Sequence, residues 1–416
     1  MFFKVKTSEE VLKIIEGFEP LGEERVPLNK SLGRRLSRDI ISLEDLPGFY
    51  RSTMDGYAVR AKDTFGATEA QPALLEVAGE VMMGQAATMP VGAGLAIKIS
   101  TGGMLPEGAD GVVMVEYCHP LDEKTIEVSR AISPLENVIK PDDDIKKGSK
   151  VILKDRILRP QEVGIMAGLG LSQIPAYKIP RVAIISTGDE VIPVDQSPEP
   201  GQVRDINSYT LSAFCRQAGA EPIIIGLCAD NFELLKDMVE KGLSKADTVW
   251  ISGGSSVGVR DLTLKVFESL DKAELLVHGI SISPGKPTII ARIGSRAIFG
   301  LPGHTASAMV VAAVFLTPFL SRLSGEENLS MRMYDQVAAE LSRNIESASG
   351  REDYIRVKLK KRGKKLMAEP VFGKSGLIST LVDADGLLRV ERNMEGLYQG
   401  QMVRVMAFNS IKGGFY

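Results

Sequence analysis

The sequence predicts a multidomain α/β protein in which a doubly wound parallel sheet lies between β-rich segments. Three observations lead to this class. The chain has 416 residues, more than one domain usually holds. Strand-like and helix-like segments alternate from 181 to 320, as in βαβ units. Short strand-like segments separated by glycine turns dominate elsewhere, from 47 to 140 and from 330 onward.

The composition indicates an ordinary globular protein of a reducing compartment. Hydrophobic residues make up 44% of the chain and charged residues 25%. The net charge of −3 offers no basic surface to a nucleic acid. The odd, sparse count of three cysteines argues against a disulfide framework, and the three histidines lack the spacing of a zinc or haem site. We therefore expect a cytoplasmic protein without a nucleic-acid partner.

No segment of the sequence predicts a membrane anchor. The N-terminus lacks the apolar region of a signal peptide. The longest apolar run, from 306 to 320, is too short to cross a bilayer and contains Pro318. We expect this run to form a buried helix.

The first half of the chain changes from helix to short strands and back to helix. Residues 8 to 18 carry a helix-start signature, in which Ser8 precedes an acidic turn and apolar spacing. A second helix, "RPQEVGIMAGLG", is closed by Gly168 and Gly170. The strands expected between them are "LLEVAGEVMMG", "GLAIKIS", "GVVMVEY" and "TIEVSR".

The segment from 181 to 320 predicts consecutive strand–helix units. Its strand-like runs are rich in β-branched residues, as in strands buried on both faces. Asn207 or Ser208 can cap the first helix, and the third helix starts near Asp261. The expected strands are "RVAIIS", "PIIIGLC" and "DTVWIS", and the expected helices are "NSYTLSAFCRQAG", "NFELLKDMVEKGL" and "DLTLKVFESL".

Five strand-like segments beyond 330 predict a small C-terminal β-barrel or sandwich. They are "DQVAAELS", "DYIRVKLK", "KLMAEPV", "LLRVE" and "QMVRVMA". The basic cluster from 358 to 366 is explained by a hairpin with charged tips, and a binding patch is the alternative.

Ligands of an open parallel sheet bind beyond the carboxyl ends of its strands, and this rule selects the loops of interest. We expect five loops at that edge, which we call the rim: 187–190, 229–231, 252–261, 283–287 and 300–307. The loop that contains Gly253, Gly254 and Ser255 favours an anion, because glycine main-chain N–H groups and hydroxyls can surround a phosphate. A tight structural turn is the alternative.

Three carboxylates, Glu190, Asp230 and Asp261, stand at strand ends or helix starts of the same rim. Like charges about 4 Å apart repel by roughly 4 kcal/mol in a moderately screened site, so these groups would oppose a phosphate. A divalent cation reverses this effect, and Mg²⁺ takes one or two carboxylates together with phosphate oxygens. The sequence therefore predicts a metal that holds a phosphate. A solvated turn is the alternative for 188–190.

Motifs along the chain together resemble molybdopterin molybdenumtransferase, the family that includes the E domain of gephyrin. The matching pieces are "DLPGFYRSTMDGYAV", "ISTGGMLPEGADGVVMVE", "PRVAIISTGDEV", "SGGSSVGVRDLT", "SISPGKP", "GLPG" and "GKSGLISTLVDADGLL". They extend from Asp45 to Leu388, and the set is specific although no single member is. One departure is "GLPGHT", which has His304 and Thr305 where the family commonly has Asn and Pro.

The resemblance implies Mg²⁺-dependent insertion of molybdate or tungstate into adenylylated molybdopterin, with release of AMP. It also implies a homodimer with a composite active site and a transient contact with the molybdopterin adenylyltransferase. Four domains are expected: a discontinuous α/β domain from 1–46 and 141–178, a β-rich insert from 47–140, the doubly wound molybdopterin-binding domain from 179–325, and a C-terminal β domain from 326–416.

The site residues implied by the resemblance and the rim fall into three groups. The catalytic set is Asp55, Thr101, Glu190, Asp230 and Asp261. The set that binds the substrates is Gly188, Gly253, Gly254, Ser255, Pro284, Lys286, Pro287, Gly303 and His304. Glu190 and Asp261 are the expected metal ligands. Two other functions stay open at this point: a hydrolase of another adenylylated phosphoanhydride, and a non-catalytic scaffold of the same fold.

Overall fold

The computed structural model describes residues 5–253, 257–327 and 336–408, with the backbone alone for 257–261. The chain divides into two compact units, one formed by 1–24 with 176–416 and the other by 25–175. The helices are α1 (Ser8–Glu16), α2 (Pro160–Gly168), α3 (Asn207–Gln217), α4 (Phe232–Lys245), α5 (Val257–Ser269), α6 (Thr305–Val311), α7 (Thr317–Leu323) and α8 (Ser379–Val382), and a π-helical turn, Ala312–Leu316, joins α6 to α7.

The strands are numbered in chain order. They are β1 (Glu23–Pro27), β2 (Ile40–Ile41), β3 (Arg51–Ser52), β4 (Gly56–Val59), β5 (Ala73–Val81), β6 (Leu95–Ile99), β7 (Gly111–Met114), β8 (Cys118–Pro120), β9 (Thr125–Val128), β10 (Val138–Ile139), β11 (Lys150–Ile152), β12 (Gln173–Tyr177), β13 (Arg181–Thr187), β14 (Val191–Ile192), β15 (Val203–Arg204), β16 (Glu221–Cys228), β17 (Thr248–Gly253), β18 (Ala273–His278), β19 (Ile282–Ser283), β20 (Ile289–Ile293), β21 (Arg296–Leu301), β22 (Gln336–Leu341), β23 (Ile345–Glu346), β24 (Glu352–Arg362), β25 (Lys365–Pro370), β26 (Gly386–Val390), β27 (Gly396–Leu397) and β28 (Met402–Ala407).

The unit from 25 to 175 contains the expected β-rich segment. Its main sheet has the strand order β7-β4-β6-β5-β9-β8, in which β5 and β6 are parallel and the other pairs antiparallel. All four strands predicted for the segment from 47 to 140 are present as β5, β6, β7 and β9. Buried aliphatic side chains such as Val59, Leu75 and Val113 form a core on this sheet.

The doubly wound sheet has the order β16-β13-β17-β21-β20-β18. The first four strands are parallel, whereas β20 runs antiparallel to both of its neighbours. Alternate residues of β13 enter different cores: Val182 and Ile184 pack on one side, and Ala183 and Ile185 on the other. The sheet is therefore covered on both faces, which explains the continuous apolar run of β13.

The apolar run near 306–320 is a core helix, as predicted, but the helical segment is longer than expected. It extends from Thr305 to Leu323, and its 19 residues are apolar enough to cross a membrane by length and composition. However, 78% of its apolar window is buried inside the structure. Phe315 and Phe319 belong to the same hydrophobic core as Trp250 and Phe299 of the sheet. The helix thus covers one face of the doubly wound sheet.

The C-terminal strands form a closed barrel, which decides between the two predicted architectures. All five predicted strands are present, in the order β24-β25-β22-β28-β26, and β26 pairs again with β24. The basic cluster from 358 to 366 lies in the β24–β25 hairpin, where Arg362 pairs with Lys365. A short strand, β19, adds to β24 from the segment that precedes β20.

The expected caps of α1 and α3 are wrong by one or two residues, and α5 starts earlier than expected. Thr7 rather than Ser8 caps α1, and Ser8 donates to Glu352 Oε2 at 2.8 Å. Neither Asn207 nor Ser208 caps α3: the Ser208 N–H donates to Asp205 Oδ1 at 3.0 Å. Helix α5 begins at Val257, so Asp261 lies inside the helix and not at its start.

Candidate functional site

The carboxyl ends of the parallel strands lie in register and form the expected rim. Thr187 of β13 is opposite Cys228 of β16 and Gly253 of β17. On the other side, Ser252 is opposite Leu301 of β21, Gly300 is opposite Ile289 of β20, and Ile289 is opposite His278. Because β20 is antiparallel, its first residue lies at this edge. The loop 283–287 therefore reaches the rim from the start of β20.

Two glycines of the rim have no room for a side chain. A Cβ atom on Gly253 would lie 2.0 Å from Thr187 Oγ1 and 2.4 Å from the Thr187 carbonyl oxygen. Gly188 has φ +141°, and a Cβ there would lie 2.7 Å from Glu190 Oε2. Close strand packing thus explains Gly253, and both packing and backbone conformation explain Gly188. Gly254 and Ser255 lie outside the described residues.

Three carboxylates meet at the ends of β13 and β16. Burial, followed by the charges of Asp189 and Glu190, raises the pKa of the Asp230 carboxyl above its usual range. Oδ1 of Asp230 is buried and has no hydrogen-bond partner among the described residues. The rim therefore concentrates negative charge around the unpartnered Oδ1 of Asp230. Two of the three predicted carboxylates, Glu190 and Asp230, belong to this group.

Asp189 also belongs to this group, because its Oδ1 accepts a hydrogen bond from the Asp230 N–H at 3.0 Å. In an extended chain the side chains alternate, and Asp189 would point away from Glu190. The residues form a turn instead, closed by the Val191 N–H donating to the Gly188 carbonyl at 3.1 Å, so alternation does not apply.

The described part of the chain contains no group of three or more His, Cys, Asp or Glu side chains arranged to hold a metal. The side chain of Asp261 is not among those described, so the Glu190–Asp261 pair stays a prediction. Mg²⁺ needs only one or two protein carboxylates when phosphates and water complete its shell. The unpartnered oxygen of Asp230 beside two further carboxylates suits such a hard cation.

In the unit from 25 to 175, Asp55 and Thr101 are brought together. Asp55 Oδ1 accepts hydrogen bonds from the Thr101 N–H at 2.7 Å and from the Thr101 hydroxyl at 3.0 Å. These two bonds hold the pKa of the Asp55 carboxyl below its usual range. Both residues are exposed. The pair is an ionised carboxylate with a fixed orientation, reached from two segments that are distant in the sequence.

A pocket of about 560 Å³ lies where the doubly wound domain meets the C-terminal barrel. The domain contributes the loop 281–287, with Pro284, Lys286 and Pro287, and the turn 302–304 before α6. The barrel contributes Ser349, Gly350, Arg351 and Ser375. Lys286 is exposed, and the Asp353 carboxylate holds the Arg351 guanidinium through Nε at 2.9 Å. Two cations and several hydroxyl groups suit a small oxyanion.

His304 lies at this pocket, and its imidazole is tied to the barrel. Nδ1 of His304 shares a hydrogen bond with the Ser375 hydroxyl at 2.9 Å. The Ser375 carbonyl accepts from the Ala306 N–H at 3.2 Å, in the first turn of α6. Gly303, the preceding residue, presents its carbonyl to the Asn207 amide at 2.8 Å.

Nothing in the sequence indicated the barrel residues of the pocket or the hydrogen bond from Asn207 to Gly303. "GKSGLIST" was recognised as a motif, but nothing in its pattern indicated that Ser375 contacts His304. Arg351 lies in "SGRED", which resembles an ordinary polar turn. The one signal available was the arginine that follows glycine in this turn.

Profiles of known families match most of the chain. The MoeA N-terminal region (domain I and II) matches residues 6–170, a probable molybdopterin binding domain matches 183–322, and the MoeA C-terminal region (domain IV) matches 338–408. A putative molybdopterin biosynthesis protein of Methanocaldococcus jannaschii is 33% identical over 96% of this chain and 97% of its own. The chain belongs to the MoeA family of molybdopterin molybdenumtransferases.

Other MoeA relatives support the same assignment. The molybdopterin molybdenumtransferase of Bacillus subtilis is 29% identical over 97% of this chain and 94% of its own. The crystal structure of the molybdopterin biosynthesis MoeA protein from Pyrococcus horikosii has a TM-score of 0.86 at 36% identity, and the match covers 98% of this chain and 100% of that one. The resemblance and the multidomain α/β fold class inferred from the sequence are therefore confirmed, and the MoeA fold includes the closed barrel.

Proposed function

We propose that this MoeA protein inserts molybdate into adenylylated molybdopterin in the cytoplasm and releases AMP, with Mg²⁺ as its metal. The observation that carries the proposal is the division of the rim into two different environments. The ends of β13 and β16 carry Asp189, Glu190 and Asp230, whereas the pocket beside β20 and β21 carries Lys286 and Arg351. An acidic group suits a metal-bound phosphoanhydride, and a cationic pocket suits an oxyanion.

Each environment has a distinct task in the proposed reaction. Lys286 and Arg351 bind the oxyanion by charge, and the hydroxyls around them donate hydrogen bonds to its oxygens. Glu190 and Asp261 would hold Mg²⁺, which when bound neutralises charge on the phosphates and favours cleavage of the anhydride. The Asp230 carboxyl, with its raised pKa, sits where negative charge is already concentrated and responds most to a cation.

We also propose that the protein acts as a homodimer with a composite site. Asp55 and Thr101 lie in the unit from 25 to 175, and the rim lies in the other unit. In the proposed dimer, one subunit supplies the oriented Asp55 carboxylate to the rim of its partner. A transient contact with the molybdopterin adenylyltransferase would deliver the unstable substrate directly.

The proposal is tested by AMP release from adenylylated molybdopterin at graded Mg²⁺ concentrations. We expect Glu190→Ala and Asp261→Ala to lower turnover by at least about a hundredfold. Each tenfold loss corresponds to a rise of roughly 1.4 kcal/mol in the activation free energy. Glu190 is exposed, so thermal melting of Glu190→Ala should change little. The control is Glu199→Ala, an exposed carboxylate on the loop after β14.

The oxyanion half of the proposal has its own measurement. Lys286→Ala should raise the KM for molybdate at least about tenfold and leave the Mg²⁺ dependence unchanged. Tungstate, of similar size and charge, should compete with molybdate at the same pocket. AMP release at wild-type rates from folded Glu190→Ala and Asp261→Ala proteins would contradict the metal assignment, and an unchanged KM in Lys286→Ala would contradict the pocket.

A further inference from the structure

The buried side chain of Asn207 hydrogen-bonds to the residues on both sides of His304. The Asn207 side chain donates through Nδ2 to the Gly303 carbonyl at 2.8 Å. Its Oδ1 accepts a hydrogen bond from the Thr305 hydroxyl at 2.8 Å. Asn207 and Thr305 are 8% and 7% exposed, so both bonds are shielded from water. One amide therefore fixes the two residues on either side of His304.

These two hydrogen bonds restrict the position of the His304 side chain. With both neighbours held, the backbone of His304 has little freedom, and its imidazole meets the Ser375 hydroxyl at 2.9 Å. Ser375 is held a second time, because its carbonyl accepts the Ala306 N–H at 3.2 Å. Hydrogen bonds thus connect Asn207 on α3, through the turn that carries His304, to Ser375 on the barrel side of the pocket.

We propose that Asn207 and Thr305 are positioning residues for oxyanion binding, acting through His304 and Ser375. The proposal rests on the proposed function, since it assigns these residues to the same pocket. Asn207 is not among the residues that line the pocket, so we expect it to act without a direct contact with the oxyanion. Its effect is to keep the imidazole and the Ser375 hydroxyl in one arrangement, so that both meet the ligand without prior reordering.

The first measurement is the affinity of the intact protein for molybdate alone, by isothermal titration calorimetry. Thr305→Val keeps the shape of the side chain and removes the hydroxyl that donates a hydrogen bond to Asn207. We expect the affinity for molybdate to fall about threefold to tenfold. Thr305→Ser keeps the hydroxyl and should bind like the wild type. Thr210→Val is the control, because among the described residues the Thr210 hydroxyl donates to the carbonyl of Ile206, the residue before α3.

A double-mutant cycle shows whether the pair acts through His304. His304→Ala alone should weaken molybdate binding, and adding Thr305→Val to it should weaken binding no further. In turnover, Thr305→Val should raise the KM for molybdate and leave kcat nearly unchanged. Additive losses in the cycle, or a lower kcat at unchanged KM, would overturn the proposal, because either result would show that Thr305 acts elsewhere.

A spectroscopic measurement separates this proposal from the proposed function. The chain has three histidines, so the imidazole resonance of His304 can be assigned by its loss in His304→Ala. In the protein without ligand, Thr305→Val should shift that resonance, whereas Thr210→Val should not. An unshifted resonance overturns the positioning role alone. If Thr305→Val shifts the resonance as expected but the wild-type protein binds no molybdate, the positioning role stands and the proposed function is contradicted.

Discussion

The Asp230 carboxyl illustrates how a residue proposed for the site can oppose folding. Its environment disfavours the ionised form, first through burial and then through the charges of Asp189 and Glu190. A residue kept in such a position costs stability unless a ligand compensates for it. The rim is therefore a place where a stabilising substitution should reduce activity.

We expect Asp230→Asn to raise the melting temperature at pH 7 to 8, on the order of 1 °C. The pKa of Asp230 is raised in the folded protein, so the native state holds the proton over a range where the unfolded chain has lost it. Stability therefore falls as the pH rises through that range, and the penalty is fully present above it. The gain from Asp230→Asn should disappear below pH 3.8, where the carboxyl is protonated in both states.

Differential scanning calorimetry at pH 8, at pH 6 and below pH 3.8 measures this effect, and AMP release measures its functional cost. Asp122→Asn is the control of opposite sign, because hydrogen bonding to the Lys124 N–H lowers the pKa of Asp122. That substitution should leave the melting temperature unchanged or slightly lower at pH 7. A melting temperature that falls in Asp230→Asn would show that the carboxylate stabilises the folded protein.

Among the helices, α3 shows how a cap can lie outside the helix that it stabilises. Asp205 Oδ1 accepts from the Ser208 N–H at 3.0 Å and from the Ser186 hydroxyl at 2.9 Å. Ser186 belongs to β13, so one carboxylate joins the first turn of α3 to the central sheet. The Ser208 hydroxyl, in contrast, is buried and has no hydrogen-bond partner among the described residues.

This arrangement predicts opposite outcomes for two neighbouring alanine substitutions. Asp205→Ala should destabilise the protein by about 2 kcal/mol, because it removes a cap and leaves the Ser186 hydroxyl with fewer partners. Ser208→Ala should be neutral or slightly stabilising, because it removes a buried hydroxyl without a partner. Chemical denaturation measures the free energy of unfolding of the two variants and tests this prediction. A larger loss in Ser208→Ala would mean that Ser208 is the cap after all.

Periodicity predicted the helices and strands well and their ends less well. The β-branched run of β13 and the five strands of the barrel were identified, because burial on one or both faces leaves a regular apolar pattern. The start of α5 was misplaced at Asp261, although Ser255 and Ser256, which precede Val257, are of a residue type common at N-caps. Barrel and sandwich could not be separated, because closure depends on the pairing of β24 with β26 and not on any single strand.

For the whole molecule, the sequence located the loops of the site but not the contacts between them. Glu190 and Asp230 were placed on one rim because parallel strands end at one edge. The contact between His304 and Ser375 could not be predicted from the sequence, since it depends on how the barrel packs beside the doubly wound domain. Fold rules thus predicted the edge, and long-range packing determined the pocket.

The proposed composite site leads to a prediction for mixed subunits. Asp55→Ala and Asp261→Ala proteins should each be inactive, and co-expression should restore part of the activity, because a heterodimer contains one site with neither substitution. Light scattering should give about twice the 45.0 kDa chain mass. A fully active monomer, or mixed variants without any restored AMP release, would contradict a site shared between subunits.

The pairing of β19 with β24 has a consequence for the synthesis of the chain. Ile282 and Ser283 lie beside Glu352 and Asp353, and the Ser281 hydroxyl donates to the Gly350 carbonyl at 2.8 Å. On the ribosome, the loop that carries Lys286 is made well before these partners. The sheet can fold first around its own helices, but among the described strands β19 has no partner until β24 has been translated. A nascent chain halted before 352 should therefore contain a folded sheet and an immature oxyanion pocket.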